Sequence, residues 1–189
     1  KLQDELLSEQ VLAELGKLGT VVRYDSNEKV TQDAAAKLIG DADICLNSWG
    51  SPKFDAQLVA ACPNLKLIVY CAGSIKGFVS DAMWERGIRV TSGAWAIAYR
   101  VAEYVVGMTV TGLRSTWLFS MDMHANEKRP RPDREMWSST VGVVSLGQVG
   151  RRVVEALRPL CPNILAFDPF VTADAMATMG CKKVDLETL

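Results

Sequence analysis

Histidine is almost missing from this chain: His124 is the only one in 189 residues. The five cysteines, Cys45, Cys62, Cys71, Cys161 and Cys181, form no C-x-x-C pair, and none stands near His124 in sequence. A zinc site therefore lacks its ligands, and no metal is expected. An odd number of thiols in apolar surroundings reads as reduced, buried cysteine in a cytoplasmic protein. An excess of one charge is missing too, with 21 Lys and Arg against 22 Asp and Glu and a formal net charge of −1. Arg129, Arg131 and Arg134 cluster, but prolines and acids interrupt them, so nucleic acid and anionic membrane have no electrostatic footprint. No apolar run approaches the about 20 residues of a membrane span, and no signal-peptide pattern precedes the first helix. An initiator methionine is missing as well. The chain begins at Lys1 and stops at Leu189 inside a secondary-structure pattern, which reads as an incomplete chain.

What is present is a regular alternation of helix and strand. Val11, Leu12, Leu15 and Leu18 share one face of a first helix, ended near Gly16 and Gly19. Thr20–Tyr24 reads as a strand. Thr31 caps a helix carrying Ala34, Ala35, Leu38 and Ile39, and Gly40 stops it. Strand 42–46 follows, then a helix opened by Asp55 and ended by Pro63. The continuous apolar run 65–71 has the character of a strand buried on both faces of a parallel sheet. After Ala72-Gly73-Ser74 come a helix over 79–85 and a short strand over 88–91. A long helix is expected from Tyr99 to about Trp117. The stretch 124–133 is polar and carries Pro130 and Pro132, which argues against helix or central strand. This order implies an open, mostly parallel sheet covered by helices, with ligands beyond the carboxyl ends of the strands. The Ala72–Ser74 loop follows the strongest strand and is a candidate for touching a small anion. An ordinary glycine turn accounts for it equally well.

The most informative stretch is 140–168. The β-branched run Thr140-Val-Gly-Val-Val144 ends in the turn Ser145-Leu-Gly-Gln-Val-Gly150, opens an amphipathic helix, and returns as Ile164-Leu-Ala-Phe-Asp168. That is the order of a dinucleotide-binding βαβ unit. Gly147 lets the backbone approach a pyrophosphate, and Gly150 lets helix and strand pack closely. The amides of Gln148 and Val149 are free donors at a helix N-terminus, where the macrodipole favours an anion. Asp168, 18 residues past Gly150, is placed to grip a ribose diol. Ser145 fills the position of the first glycine and fits there if its φ is negative. Past Asp168, a helix over 172–179 and a short strand over 182–184 complete about half of a doubly wound sheet.

The segments LKLIVYCAGSIKGFV, ERGIRVTSG, RVAEYVVGMTVTGLR and TVGVVSLGQVGRR, in this order and spacing, resemble the D-isomer-specific 2-hydroxyacid dehydrogenases, the group that includes phosphoglycerate dehydrogenase-like enzymes. The resemblance covers about residues 18–189, and the Val101-Ala102-Glu103 helix start and the glycine turn with Arg151 are its most specific marks. It implies an α/β protein with parallel sheets: a flavodoxin-like substrate lobe over residues 1–97, joined to a partial Rossmann NAD-binding lobe over 98–189, with the active site between them. It implies that the Ala72-Gly73-Ser74 backbone holds the substrate carboxylate, with Ser74 near the nicotinamide. Gln148 and Val149, between Gly147 and Gly150, hold the pyrophosphate, and Asp168 binds the adenosine ribose, favouring NAD over NADP.

The expected activity is hydride transfer between NAD(H) and a small 2-keto or 2-hydroxy acid, in a cytoplasmic homodimer. The family's arginine, glutamate and general acid/base histidine belong to a later part of its sequence, so no catalytic residue is expected within these 189. His124, ahead of the glycine turn, reads as a solvated or capping residue, and Glu103 as structural. Ile97 stands where an asparagine often precedes Val-Ala-Glu, and Arg100 where a small residue is usual. The segment between Trp137 and Thr140 is shorter than in the family. A non-catalytic NAD-sensing scaffold or corepressor-like member of the same family is the alternative reading. A flavodoxin-like binding module explains less, because it leaves Ser145–Asp168 and the Val-Ala-Glu helix unrelated.

Overall fold

A computed structural model describes residues 7–24, 26, 28–130 and 134–189. Lys1, Arg131 and Pro132, named in the sequence reading, lie outside the described residues. The chain divides into two compact units, Lys1–Gly93 and Ala94–Leu189.

The N-terminal unit holds helices α1 (Glu9–Leu18), α2 (Gln32–Ile39), α3 (Ala56–Ala61) and α4 (Asp81–Glu85) and strands β1 (Ile44–Asn47), β2 (Leu67–Tyr70) and β3 (Arg89–Ser92). The strands form a parallel sheet in the order β1-β2-β3, with Cys45 opposite Ile68 and Ile68 opposite Val90. Side-chain caps start the helices where the sequence places them: Thr31 accepts from the Ala34 amide at 3.2 Å and Asp55 from the Leu58 amide at 3.0 Å. The core joins Ile39 of α2, Leu58 and Val59 of α3, Ile68 and Tyr70 of β2, and Met83 of α4 to Phe54, Phe78 and Ile88. Burying each of these large side chains contributes about 1.5–3 kcal/mol. The helix α1 lies outside this core and buries none of its residues. The expected strand over Thr20–Tyr24 joins no ladder among the described residues, and Val21 and Val22 are exposed. A β-branched run supplies strand geometry, but a strand exists only where a neighbour takes its hydrogen bonds.

One guanidinium ties α3 to the strand that follows. Arg86, just after α4, donates to the carbonyl of Val59 and, at 2.6 and 3.0 Å, to those of Cys62 and Leu65. Its planar fork thus satisfies the carbonyls that α3 leaves open at its C-terminus.

The C-terminal unit opens with α5 (Ala94–Leu113) and α6 (Thr116–Ala125). The single long helix expected to end near Trp117 is interrupted: Ser115 is left-handed, with φ +53°. The break brings the Trp117 indole back against Gly112, where a Cβ would lie 3.5 Å from the ring. The second helix extends through His124 and Ala125, so the polar segment begins two residues later than its composition predicts, at the left-handed C-cap Asn126. Strands β4 (Thr140–Val144), β5 (Asn163–Phe167) and β6 (Lys182–Lys183) form a second parallel sheet in that order, connected by α7 (Gln148–Leu157) and α8 (Ala173–Met179). Val153, Val154 and Leu157 of α7 pack with Ile164, Ala166, Met176 and Ala102 of α5. The small Ala102 lets α5 lie against α7, and Arg152 of α7 stacks over the Tyr99 ring with 4.3 Å to the centroid. No described helix is long and apolar enough to cross a membrane.

Two substitutions test these contacts. Arg86→Ala leaves several carbonyls without their donor and lowers the stability of the N-terminal unit by about 1.5–3 kcal/mol. Arg86→Lys does not restore it, because one ammonium cannot fork to the same set. Urea unfolding with hydrogen-exchange readout of residues 56–70 checks this, and unchanged protection there refutes it. At Gly150 a Cβ would stand 2.0 Å from the Ser145 carbonyl oxygen, so Gly150→Ala must displace α7 from β4 and lower the melting temperature of the C-terminal unit. An unaltered melting temperature would show that the close approach is not required.

Candidate functional site

The turn between β4 and α7 is fixed at Leu146. Its side chain is buried in the core. Its amide donates to Asp168 Oδ2 at 2.7 Å, and its carbonyl accepts from Arg151 Nε at 2.7 Å. The second oxygen of Asp168, Oδ1, accepts from the Phe170 amide at 2.8 Å. Asp168 is only 6% exposed, yet its carboxyl is held below the ordinary value of 3.8, first by the Leu146 amide and then by that of Phe170. These donors favour the charged form more than burial disfavours it. Arg151, a mark of the glycine turn in the sequence, thus has a local structural role: it holds the turn's carbonyl and reaches Met179 Sδ at 3.8 Å.

Beyond Leu146 the backbone opens. Gly147 is the N-cap of α7, and a Cβ there would meet nothing within 4 Å. The first helical hydrogen bond runs from the Arg151 amide to the Gly147 carbonyl at 3.1 Å, which leaves the amides of Gln148 and Val149 without an acceptor among the described residues. Two adjacent donors therefore stand beside open space at the carboxyl end of a parallel strand, one turn from a fixed carboxylate. That arrangement suits a diphosphate with a sugar diol attached. Ser145 is the exception. Its φ is +73°, not the negative value at which a serine sits without strain. The tight turn keeps the geometry of glycine although the residue is not glycine.

In the N-terminal unit the Ala72–Ser74 loop leaves β2 at the carboxyl end of its sheet. Ala72 is buried, Gly73 has open space where a Cβ would stand, and Ser74 is exposed and precedes the 3-10 turn Ile75–Gly77 without capping it. The sequence reading missed the neighbours of this loop, Asn47 and Ser48. The Asn47 carbonyl accepts from the Cys71 amide at 2.8 Å, so Asn47 borders the loop directly. Its side-chain amide, both nitrogen and oxygen, and the Ser48 hydroxyl are buried without a hydrogen-bond partner among the described residues. Such atoms are costly to leave unpaired and mark places where a ligand or ordered water belongs. The signal in the sequence was an Asn-Ser pair closing an apolar strand.

Burial, with Cys62 and Cys71 nearby, pushes the Cys45 pKa up to about 12. The five cysteines are unpaired. Among the described residues no group of three or more His, Cys, Asp or Glu is placed to hold a metal ion. His124 is exposed in the last turn of α6.

Comparison with known proteins agrees with this geometry. Residues 106–189 match the family model described as D-isomer specific 2-hydroxyacid dehydrogenase, NAD binding domain. The chain is 29% identical over 139 residues to a D-3-phosphoglycerate dehydrogenase of Archaeoglobus fulgidus, covering 72% of this chain and 26% of that protein. It is 25% identical over 166 residues to a hydroxypyruvate reductase of Thermotoga maritima, covering 87% of this chain and 53% of the relative. The chain thus spans between about a quarter and a half of the length of these two relatives. Among solved structures, D-lactate dehydrogenase from Aquifex aeolicus, complexed with NAD and lactic acid, superposes with a TM-score of 0.71 at 19% identity, over 97% of this chain and 54% of that one. A glyoxylate reductase from Paecilomyces thermophila gives 0.75 at 18% identity, over 96% and 58%. At such identities the superpositions establish the fold. Residues 106–189 are thus similar to the NAD binding domain of the D-isomer specific 2-hydroxyacid dehydrogenases, and the whole chain shares the fold of the two solved structures.

Proposed function

We propose that this chain belongs to an NAD-dependent oxidoreductase that interconverts a small 2-hydroxy acid and its 2-keto acid. The observation that carries the reading is the fixed turn of residues 145–150 beside a carboxylate that stays ionised. Bound NAD supplies the ring that accepts or returns the hydride. Every other task falls to the protein. Gln148 and Val149 donate their amides to the pyrophosphate, and the bare Cα of Gly147 gives it room. Asp168 is held by backbone amides, and its remaining acceptor capacity takes the ribose diol. Its charge disfavours a 2′-phosphate at the same place, which selects NAD over NADP. In the other unit the Ala72–Ser74 backbone receives the carboxylate of the acid.

The residues that move the proton follow from the family resemblance. The whole enzyme supplies its arginine, glutamate and histidine from the later part of the family sequence, and His124 takes no part. The sizeable apolar side chains exposed on α5 and α6, Tyr104, Trp117, Phe119 and Met123, support pairing with a second copy as a homodimer. The buried, unpaired thiols support a cytoplasmic setting.

Titrating the full-length protein with NADH and NADPH, and assaying its NADH oxidation with glyoxylate, pyruvate and hydroxypyruvate, tests the proposal. NADH binding with turnover of at least one acid is expected, and binding of neither dinucleotide refutes the reading. Asp168→Asn keeps the size of the side chain and removes its charge. The preference for NADH over NADPH then falls on the order of tenfold or more. An unchanged preference refutes the ribose assignment. The same variant has a pH signature. Because the folded pKa of Asp168 lies below its ordinary 3.8, its contribution to stability is fully present above that value and is lost as pH falls through the folded value. The stability difference between wild type and Asp168→Asn therefore stays constant above about pH 5 and narrows toward about pH 3. A difference independent of pH in urea titrations would show that the carboxylate is not the group held by these amides.

A further inference from the structure

Ser145 is under backbone strain. Its φ of +73° lies in the region that glycine adopts freely and a Cβ-bearing residue rarely does. Its amide donates to the Phe167 carbonyl at 2.7 Å. Its carbonyl oxygen lies close to Gly150, where a Cβ would stand only 2.0 Å away. Glycine at position 145 would satisfy the same backbone without strain.

The fold gains nothing visible from the side chain. Ser145 is exposed, so its Cβ packs nothing. The hydroxyl does not cap α7, whose N-cap Gly147 is without a side-chain bond, and it has no hydrogen-bond partner among the described residues. Strain held by an exposed polar residue is accounted for when a ligand takes up the polar group. The position fits this account. Ser145 precedes Leu146, whose amide holds Asp168, and lies two residues before the open space at Gly147.

We propose that Ser145 is a positioning residue of the dinucleotide site, its hydroxyl donating to an oxygen of the adenosine-side sugar–phosphate. The proposal rests on the NAD-binding reading above. In energetic terms, the hydrogen bond made on binding offsets a conformation that destabilises the free protein.

The test compares wild type with Ser145→Gly and Ser145→Ala, measuring the melting temperature without ligand and the Kd for NADH and for ADP-ribose, which lacks the nicotinamide. Ser145→Gly is expected to melt at a higher temperature and to bind both ligands about three- to tenfold more weakly. Ser145→Ala keeps the strained backbone and loses the hydroxyl, so it loses similar affinity without the gain in melting temperature. Unchanged or tighter binding by Ser145→Gly overturns the proposal, since the serine would then be strain without a contact. A loss confined to NADH, with ADP-ribose unaffected, also overturns it, because the contact would not be on the adenosine side. Failure of wild type to bind either ligand removes the NAD reading and this inference together. Binding by wild type with equal Kd in both variants removes the inference alone.

Discussion

The hydrogen bond from the Leu146 amide to Asp168 spans 2.7 Å and joins the carboxyl ends of two neighbouring parallel strands. On it depends the shape of everything between them. With its amide on Asp168, its carbonyl on Arg151 and its side chain in the core, Leu146 has no freedom left. The turn that follows therefore presents Gly147, Gln148 and Val149 in one orientation. A flexible loop would have to be ordered by its ligand and would lose affinity in proportion. Here the ordering is done by folding. The carboxylate that does it is kept ionised by amides rather than by a neighbouring lysine or arginine in direct contact, so it keeps lone pairs for an incoming hydroxyl.

The N-terminal unit solves a different problem with the same economy of groups. Its sheet is narrow, three strands among the described residues, and α3 ends close to the start of β2. Arg86 adds a donor to the carbonyls near that end, its fork reaching Val59, Cys62 and Leu65 together. At the opposite end of the strands the logic reverses. Asn47 and Ser48 hold polar atoms that nothing among the described residues satisfies, beside a loop with open space at Gly73. One end of the sheet is closed by hydrogen bonds and the other is left available. The carboxyl ends of parallel strands are where ligands enter α/β proteins.

The parts that were legible in the sequence are those with short-range causes. Thr31 and Asp55 cap their helices because a cap is a contact three residues long. The βαβ unit of β4, α7 and β5 declares itself because β-branched runs, glycine positions and the terminal carboxylate lie within thirty residues or so and each has one conformational use. The parts that were not legible have causes elsewhere in the chain. Whether residues 20–24 form a strand depends on a partner, and α1 has an amphipathic pattern but no core to cover. The break at Ser115 carries neither glycine nor proline at its left-handed residue, and it brings the indole of Trp117 onto Gly112. The role of Asp168 in holding the turn was likewise hidden, because the pair it forms with Leu146 is 22 residues apart in sequence.

Ser145 and Asp168 illustrate how a local rule can be broken without disturbing the fold around it. The Phe167 carbonyl holds the amide of residue 145 at 2.7 Å, and Gly150 leaves room for its carbonyl. The strain of a serine there is therefore confined to one residue instead of spreading into β4 or α7. Asp168 sets the opposite limit. Its carboxylate is part of the bonding that shapes the turn, so a change of residue alters both the free protein and what it can bind. One side chain makes no contact that the fold uses among the described residues, while the other is bound into the fold, and both flank the same amide. The shape of the turn therefore rests on the carboxylate at 168 and not on the hydroxyl at 145.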